Sequence, residues 1–203
     1  MTEKLSGKLI VGLTGATGTI FGVRLLQILE GTGIETHLVM SKWAARTLIH
    51  ETPYTAEEVQ QMATQFYQSG DQGAPVSSGS FLTNGMIVAP CSMKTLGAIA
   101  NGISDNLIHR AADVVLKERR RLVLMVREAP LNDIHLENML KLSRMGVCIL
   151  PPVPAFYNHP RTIDDIVNHT VQRALDQFDI HIDVVNRWDG VMVRGVKVER
   201  VSE

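Results

Sequence analysis

Short apolar runs alternate with longer stretches of helical period along the chain. Lys8–Leu13 (KLIVGL), Glu35–Met40 (ETHLVM), Met86–Ala89, Leu122–Val126 and Val147–Leu150 read as strands, each too short for a helix and closed by a change of residue type. Gly18–Glu30 reads as a helix ended by Gly31-Thr32-Gly33, and a second helical stretch runs from about Lys42 to His50. Thr55–Gln68 predicts a third helix, with Pro53 marking the break before it. Asn106–Arg120 and Asn132–Arg144 carry the same period. The last helix opens at Thr162 as N-cap. Asp164 and Asp165 favour the positive end of its dipole, and Ile163, Ile166, Val167, Val171, Ala174 and Phe178 follow at helical spacing.

Strands alternating with helices predict a parallel sheet covered on both faces, with about five strands. The expected fold is one three-layer α/β domain, Rossmann-like or flavodoxin-like, spanning 1–203 with a core over about 8–182 and a tail over 183–203. Residues 69–85 (SGDQGAPVSSGSFLTNG) form a long loop inside that domain, because the alternation resumes at once; loops of this length are often functional.

Composition narrows the function. Twenty Lys and Arg against 21 Asp and Glu give a net charge of −1, which argues against a nucleic-acid surface or a polybasic membrane anchor and leaves room for a local cationic pocket. Two cysteines are too few for a disulfide framework or a four-thiolate zinc site, and no metal is expected. No apolar run approaches the roughly 20 residues of a membrane span, and the opening apolar segment is short for a signal peptide, so a reduced cytoplasmic protein is expected.

The candidate chemistry sits where strands hand over to helices. Gly12-Leu13-Thr14-Gly15-Ala16-Thr17-Gly18 joins the first strand to the first helix, where glycines permit a tight turn and helix N–H groups can hold a phosphate. A tight turn without a ligand is the alternative. A nicotinamide-dependent short-chain reductase is a rival, but strand two ends in Met40-Ser41-Lys42 with no acid for a ribose, and no tyrosine precedes a lysine by four. A mononucleotide fits better. Pro90-Cys91-Ser92-Met93-Lys94-Thr95 is a second such loop; with no histidine close in sequence, Cys91 reads as a buried structural thiol rather than a nucleophile. Arg110 and Lys117, two helical turns apart, point to nearly the same side, with Asp113 between them to pair with either: a phosphate clamp, or a solvated salt-bridged face. Arg127-Glu128 closes the strand Leu122–Val126 at the edge where such sheets do chemistry. Three prolines in 151–154 stiffen the approach to Tyr157, which is either held for a ligand or a core aromatic.

Together these segments resemble the flavin prenyltransferase family. GLTGATG (12–18), APCSMKTL (89–96), DNLIHRAADVVLKERR (105–120), REAPLNDIHLENMLKLS (127–143), ILPPVPAFY (149–157) and TIDDIV (162–167) carry the likeness over about residues 8–188. VMSKWA (39–44), VSSGSF (76–81) and CSMK (91–94) are most similar to the small B subunit of hydroxyarylic (phenolic) acid decarboxylase systems. The resemblance implies an enzyme that transfers a dimethylallyl group from dimethylallyl phosphate to N5 and C6 of reduced FMN, without a metal. It implies a homododecamer, with prenylated FMN passed to a decarboxylase large subunit. It places FMN contacts on Gly15, Ala16, Thr17, Ser41, Cys91, Ser92, Met93, Lys94 and Arg127. Prenyl-phosphate contacts fall on Arg110, Lys117, Tyr157, Arg173 and Trp188, and catalytic roles on Glu128, Lys117, Tyr157, Thr17 and Glu51. Thr17 stands where many members have serine. Loop 69–85 lacks the tryptophan of some members, with Phe81 as a substitute, and Met93-Lys94 replaces smaller residues. A non-catalytic FMN-delivery subunit is the alternative; a flavin-dependent cysteine decarboxylase is a third reading, disfavoured by APCSMK where that group carries an Asn-rich motif.

Overall fold

Residues 9–13 alternate their side chains between two covered faces, and that alternation organises everything around them. The computed structural model describes residues 6–192. In β1 (Gly7–Leu13), Leu9, Val11 and Leu13 enter one core while Ile10 enters the other. The chain continues through α1 (Thr19–Leu29), β2 (Ile34–Met40), α2 (Lys42–Glu51), α3 (Ala56–Met62), β3 (Gln65–Gln68) and a 3₁₀ turn at Pro75–Ser77. Then follow β4 (Gly85–Cys91), α4 (Met93–Ala100), α5 (Leu107–Lys117), β5 (Arg121–Val126), α6 (Asp133–Arg144), β6 (Cys148–Ile149) and α7 (Ile163–Asp176). All six strands are parallel, in the order β3-β2-β1-β4-β5-β6.

One core joins Ile87 of β4 and Val123 of β5 to Val23 and Leu26 of α1, Leu48 of α2 and Val171 of α7. The other joins Met86, Val88 and Leu124 to Leu96 of α4, Ile108 and Ala112 of α5 and Leu142 of α6. Two helical layers thus enclose the sheet, as the alternation predicted. The chain runs outward from β1 to β2 and β3, then returns to β4 on the other side of β1. The carboxyl ends of β1 and β4 therefore flank a topological switch point, the usual ligand crevice of a doubly wound sheet.

The strand count differs from the expectation. The predicted helix Thr55–Gln68 stops at Met62, and Gln65–Gln68 becomes β3, pairing Phe66 with Leu38 and Tyr67 with Val39. Four residues are too few to show a period of their own, and the neighbouring strand decides their conformation. Gly22 lets α1 lie close against the sheet: a Cβ there would stand 2.5 Å from the Ala89 carbonyl oxygen.

Candidate functional site

Three helices begin around the switch point, each capped by the side chain of the residue just before it. Ser41 caps α2 by accepting from the Ala44 N–H at 3.0 Å, Ser92 caps α4 by accepting from Thr95 at 3.3 Å, and Asn106 caps α5 by accepting from His109 at 3.0 Å. These caps line one cavity of about 240 Å³ together with Thr14, Gly15, Trp43, Lys94, Thr95, Ile108 and His109. Three positive helix ends and one lysine make it a place for an anion.

The Thr14 hydroxyl joins the two loops that bound the cavity. It donates to the Pro90 carbonyl at 2.7 Å and accepts from the Ser92 N–H at 2.9 Å. Gly15 is required by proximity, since a Cβ there would stand 2.5 Å from the Trp43 Cβ. Behind Ser92 runs a polar chain that passes through buried Thr95 and His109 and ends on exposed Asp105. The Ser92 hydroxyl bonds Thr95 at 3.2 Å, the Thr95 hydroxyl faces His109 Nε2 at 3.4 Å, and His109 Nδ1 meets Asp105 at 2.5 Å. Burial pushes His109 below the ordinary histidine value, with Asp105 opposing and Lys94 adding to the shift, so the ring is neutral near pH 7.

The N-terminus of α1 is spent differently. One Glu51 oxygen accepts from the Gly18 N–H at 2.9 Å, the Thr19 N–H at 3.1 Å and the Thr19 hydroxyl at 3.0 Å. Burial raises this carboxyl, but hydrogen bonds from Thr17, Thr19 and Gly18 outweigh it and hold it below the ordinary carboxylate value. Gly18 itself, at φ 96°, supplies the left-handed residue that starts the helix. The structure thus brings Thr17 and Glu51 together, beside the cavity that Gly15, Ser41, Ser92 and Lys94 line.

Other sequence-predicted residues lie elsewhere. Cys91 is fully buried, and burial pushes its thiol far up, so it reaches outward only through its backbone carbonyl, which accepts from the Arg127 N–H at 3.1 Å. Met93 is half-buried and Ala16 half-exposed beside the cavity loops. Arg127 and Glu128 are exposed at the end of β5. Arg110 takes the salt-bridged arrangement: it pairs with Asp113 at 2.7 Å and donates to the Ser77 carbonyl at 3.2 Å. Lys117 pairs with Glu118 at the far end of α5, beside Gly79. Eleven residues separate Lys117 from Asn106, about 16 Å of helix, so one protomer does not bring Lys117 to the Gly15 cavity. Phe81 also lies at the far edge, edge-on to His37 at 5.1 Å and beneath the Lys8 ammonium.

A second group forms around α7. The Tyr157 hydroxyl meets His169 Nε2 at 2.9 Å, and its ring stands edge-on to Trp188 at 5.8 Å. Tyr157 and Trp188 line a cavity of about 190 Å³ with Asn158, His159 and Arg187. Arg173 pairs with Asp176 on the same helix. Trp43, Asn106, His109, His169 and Asp176 were not singled out from sequence; the only advance signal was Asn106 at the start of a helical period. Among the described residues no cluster of metal-ligating side chains forms, and no helix is long and apolar enough to cross a membrane.

A doubly wound sheet with an anion-receptive crevice at its switch point defines a nucleotide- or flavin-binding α/β protein. The flavoprotein family model matches residues 1–175. Over 184 residues the chain is 62% identical to the probable UbiX-like flavin prenyltransferase of Bacillus subtilis (strain 168), covering 91% of this chain and 90% of that one. The dodecameric FMN-dependent UbiX-like decarboxylase of Escherichia coli O157:H7 superposes with a TM-score of 0.89 at 61% identity, covering 90% and 100% of the two chains. AnUbiX (PadA1), solved with FMN and dimethylallyl pyrophosphate, superposes with a TM-score of 0.89 at 52% identity, covering 91% and 98%. The chain belongs to the flavoprotein family and, within it, to the flavin prenyltransferases.

Proposed function

We propose that this protein transfers a dimethylallyl group from dimethylallyl phosphate to N5 and C6 of reduced FMN. The observation that carries the reading is the crevice at the switch point, where three capped helix N-termini and Lys94 converge. Those donors fit a phosphate-bearing flavin. The α1 N-terminus suits it less, because the Gly18 and Thr19 N–H groups already serve the Glu51 carboxylate, whose charge would repel a phosphate. The flavin phosphate therefore belongs against Ser41, Ser92 and Lys94, with Gly15, Ala16 and Thr17 closing one side and Arg127 reaching in from β5. Bound reduced flavin supplies the two nucleophilic ring positions.

The protein residues supply the rest. An allylic C–O bond that breaks leaves negative charge on the phosphate, and cations aimed at those oxygens lower the barrier. Arg110, Lys117 and Arg173 are the cations assigned to that task, and Tyr157 and Trp188 give an aromatic wall for the allylic cation. Glu128, with Glu51 beside Thr17, is the group this reading assigns to the proton released as the new bonds form.

A single protomer holds only part of this set. Its crevice, about 240 Å³, falls below the about 300 Å³ where small-molecule pockets begin, and Lys117 lies at the far end of α5. Neighbouring copies would complete the site. The apolar surface for such contacts is present: Ile134, Leu136 and Leu140 are exposed on α6, and Val153, Phe156 and Ile163 around the loop before α7. A homododecamer that hands prenylated FMN to an aromatic-acid decarboxylase, in the cytoplasm, is the corresponding biological setting.

The test is anaerobic incubation with reduced FMN and dimethylallyl phosphate, or in parallel the pyrophosphate, followed by mass spectrometry of the extracted flavin. A gain of one C5 unit is expected. Unmodified FMN under verified reducing conditions would instead make the protein a flavin carrier.

A further inference from the structure

The helix α7 carries one polar stripe, His169, Gln172, Arg173 and Asp176, at spacing i, i+3, i+4 and i+7. The segment that follows the helix is tied to this stripe at two levels. Gln172, 2% exposed, accepts at one side-chain oxygen from the Val184 and Val185 N–H groups, each at 3.0 Å. One turn further, the Asp176 side chain is 8% exposed and fills both oxygens. Its Oδ1 accepts from Arg187 Nη2 at 2.8 Å and His181 Nδ1 at 3.1 Å. Its Oδ2 accepts from Arg187 Nη1 at 2.9 Å and Arg173 Nη1 at 3.0 Å. The Arg187 fork is bidentate, the geometry that fixes orientation as well as distance. Trp188, the next residue, meets Tyr157, whose hydroxyl returns to His169 on the same stripe.

We infer that Asp176 is the positioning residue of the prenyl-phosphate site: its carboxylate fixes Arg173 on one side and, through Arg187, seats Trp188 against Tyr157 on the other. The inference rests on the prenyltransferase reading above, which supplies the roles of Arg173, Tyr157 and Trp188. Asp183 also accepts from Arg187 Nε at 3.2 Å, but among the described residues Asp176 is the carboxylate that joins Arg187 to Arg173 of α7. A carboxylate offers about four lone-pair sites and all are used here; asparagine offers two at its single oxygen, so Asp176→Asn must break one arm of the Arg187 fork and, where the amide nitrogen takes the Oδ2 place, release Arg173 as well.

Asp176→Asn in the full-length protein tests this with two readouts. The KM for dimethylallyl phosphate should rise about tenfold or more, the scale of one lost charge-assisted hydrogen bond, while FMN affinity stays at the wild-type value. Trp188 emission, read in a W43F background because Trp43 is the other tryptophan, should become more accessible to iodide quenching. A folded Asp176→Asn protein with unchanged KM and unchanged quenching overturns the inference. So does a protein that loses FMN in parallel with KM, since that marks general damage. If Asp176→Asn does not fold, Arg187→Lys, which keeps the charge and breaks the fork, must show the same rise in KM and in quenching, and its failure to do so is equally decisive. Wild-type protein that makes no prenylated flavin sinks the prenyltransferase reading and this inference with it; turnover by wild type with an unmoved KM in the variants sinks the inference alone.

Discussion

Glu51→Gln isolates what one charge contributes at the start of α1. The wild-type carboxylate oxygen takes three donors at 2.9–3.1 Å. Glutamine keeps the length and one oxygen that can face the same donors, so what it removes is the charge on those bonds. The charge-assisted share is worth about 1 kcal/mol, and the lost attraction between a negative charge and the helix N-terminus about 0.5 kcal/mol. Solvent screens part of both, because Glu51 is exposed at the surface, so the net loss is about 1 kcal/mol. For a chain of this length that lowers the melting temperature by about 2–4 °C. The pH dependence fixes the sign. The native carboxyl lies below its ordinary value of 4.5, so its contribution is complete above that value and is lost as pH falls through the lower native one. Glutamine does not titrate. Melting curves of both proteins from about pH 7 to about pH 3 should show a gap that closes at the acid end. Equal melting temperatures at neutral pH, or a gap undiminished in acid, would refute the reasoning.

Gly22→Ala should destabilise the fold by about 1–3 kcal/mol, the usual cost of overpacking, since the new Cβ meets the Ala89 carbonyl at 2.5 Å; an unchanged urea midpoint would show that α1 has room to move off the sheet. Lys117→Ala should cut prenyl transfer by about 10²–10³ and leave FMN bound, as flavin absorbance and product mass would report; FMN loss in proportion to activity would make Lys117 structural. Glu128→Gln should bind both ligands and stall turnover, and normal turnover would assign the proton to another acceptor.

Much of the framework could be read from residue order. β1, β2, β4 and β5 are buried on both faces and so appear as apolar runs, and the cap at Thr162 announces its helix. β3 could not be read, because Gln65–Gln68 is a strand only through its pairing with β2. The site followed the same division. Gly15, Ser41, Ser92 and Lys94 line the crevice from strand-end loops, which fall at the ends of visible elements. The Glu51 contact spans 33 positions, and the Asp176 cluster gathers residues from both sides of a helix end; neither leaves a local trace. Lys117 shows what spacing along one helix leaves open. Its spacing from Arg110 is a helical fact, but the two pair with different carboxylates, and helix length carries Lys117 away from the crevice.

The sheet is bounded by its two briefest strands, four residues of β3 on one side and two residues of β6 on the other. A rim this short offers few unpaired N–H and carbonyl groups to an incoming strand, and β3 begins and ends on exposed glutamines. Edge-to-edge growth of the kind that produces fibres therefore has little to nucleate on. Association between copies, where it happens, is left to side-chain surfaces such as the exposed Ile134, Leu136 and Leu140 of α6 rather than to backbone pairing.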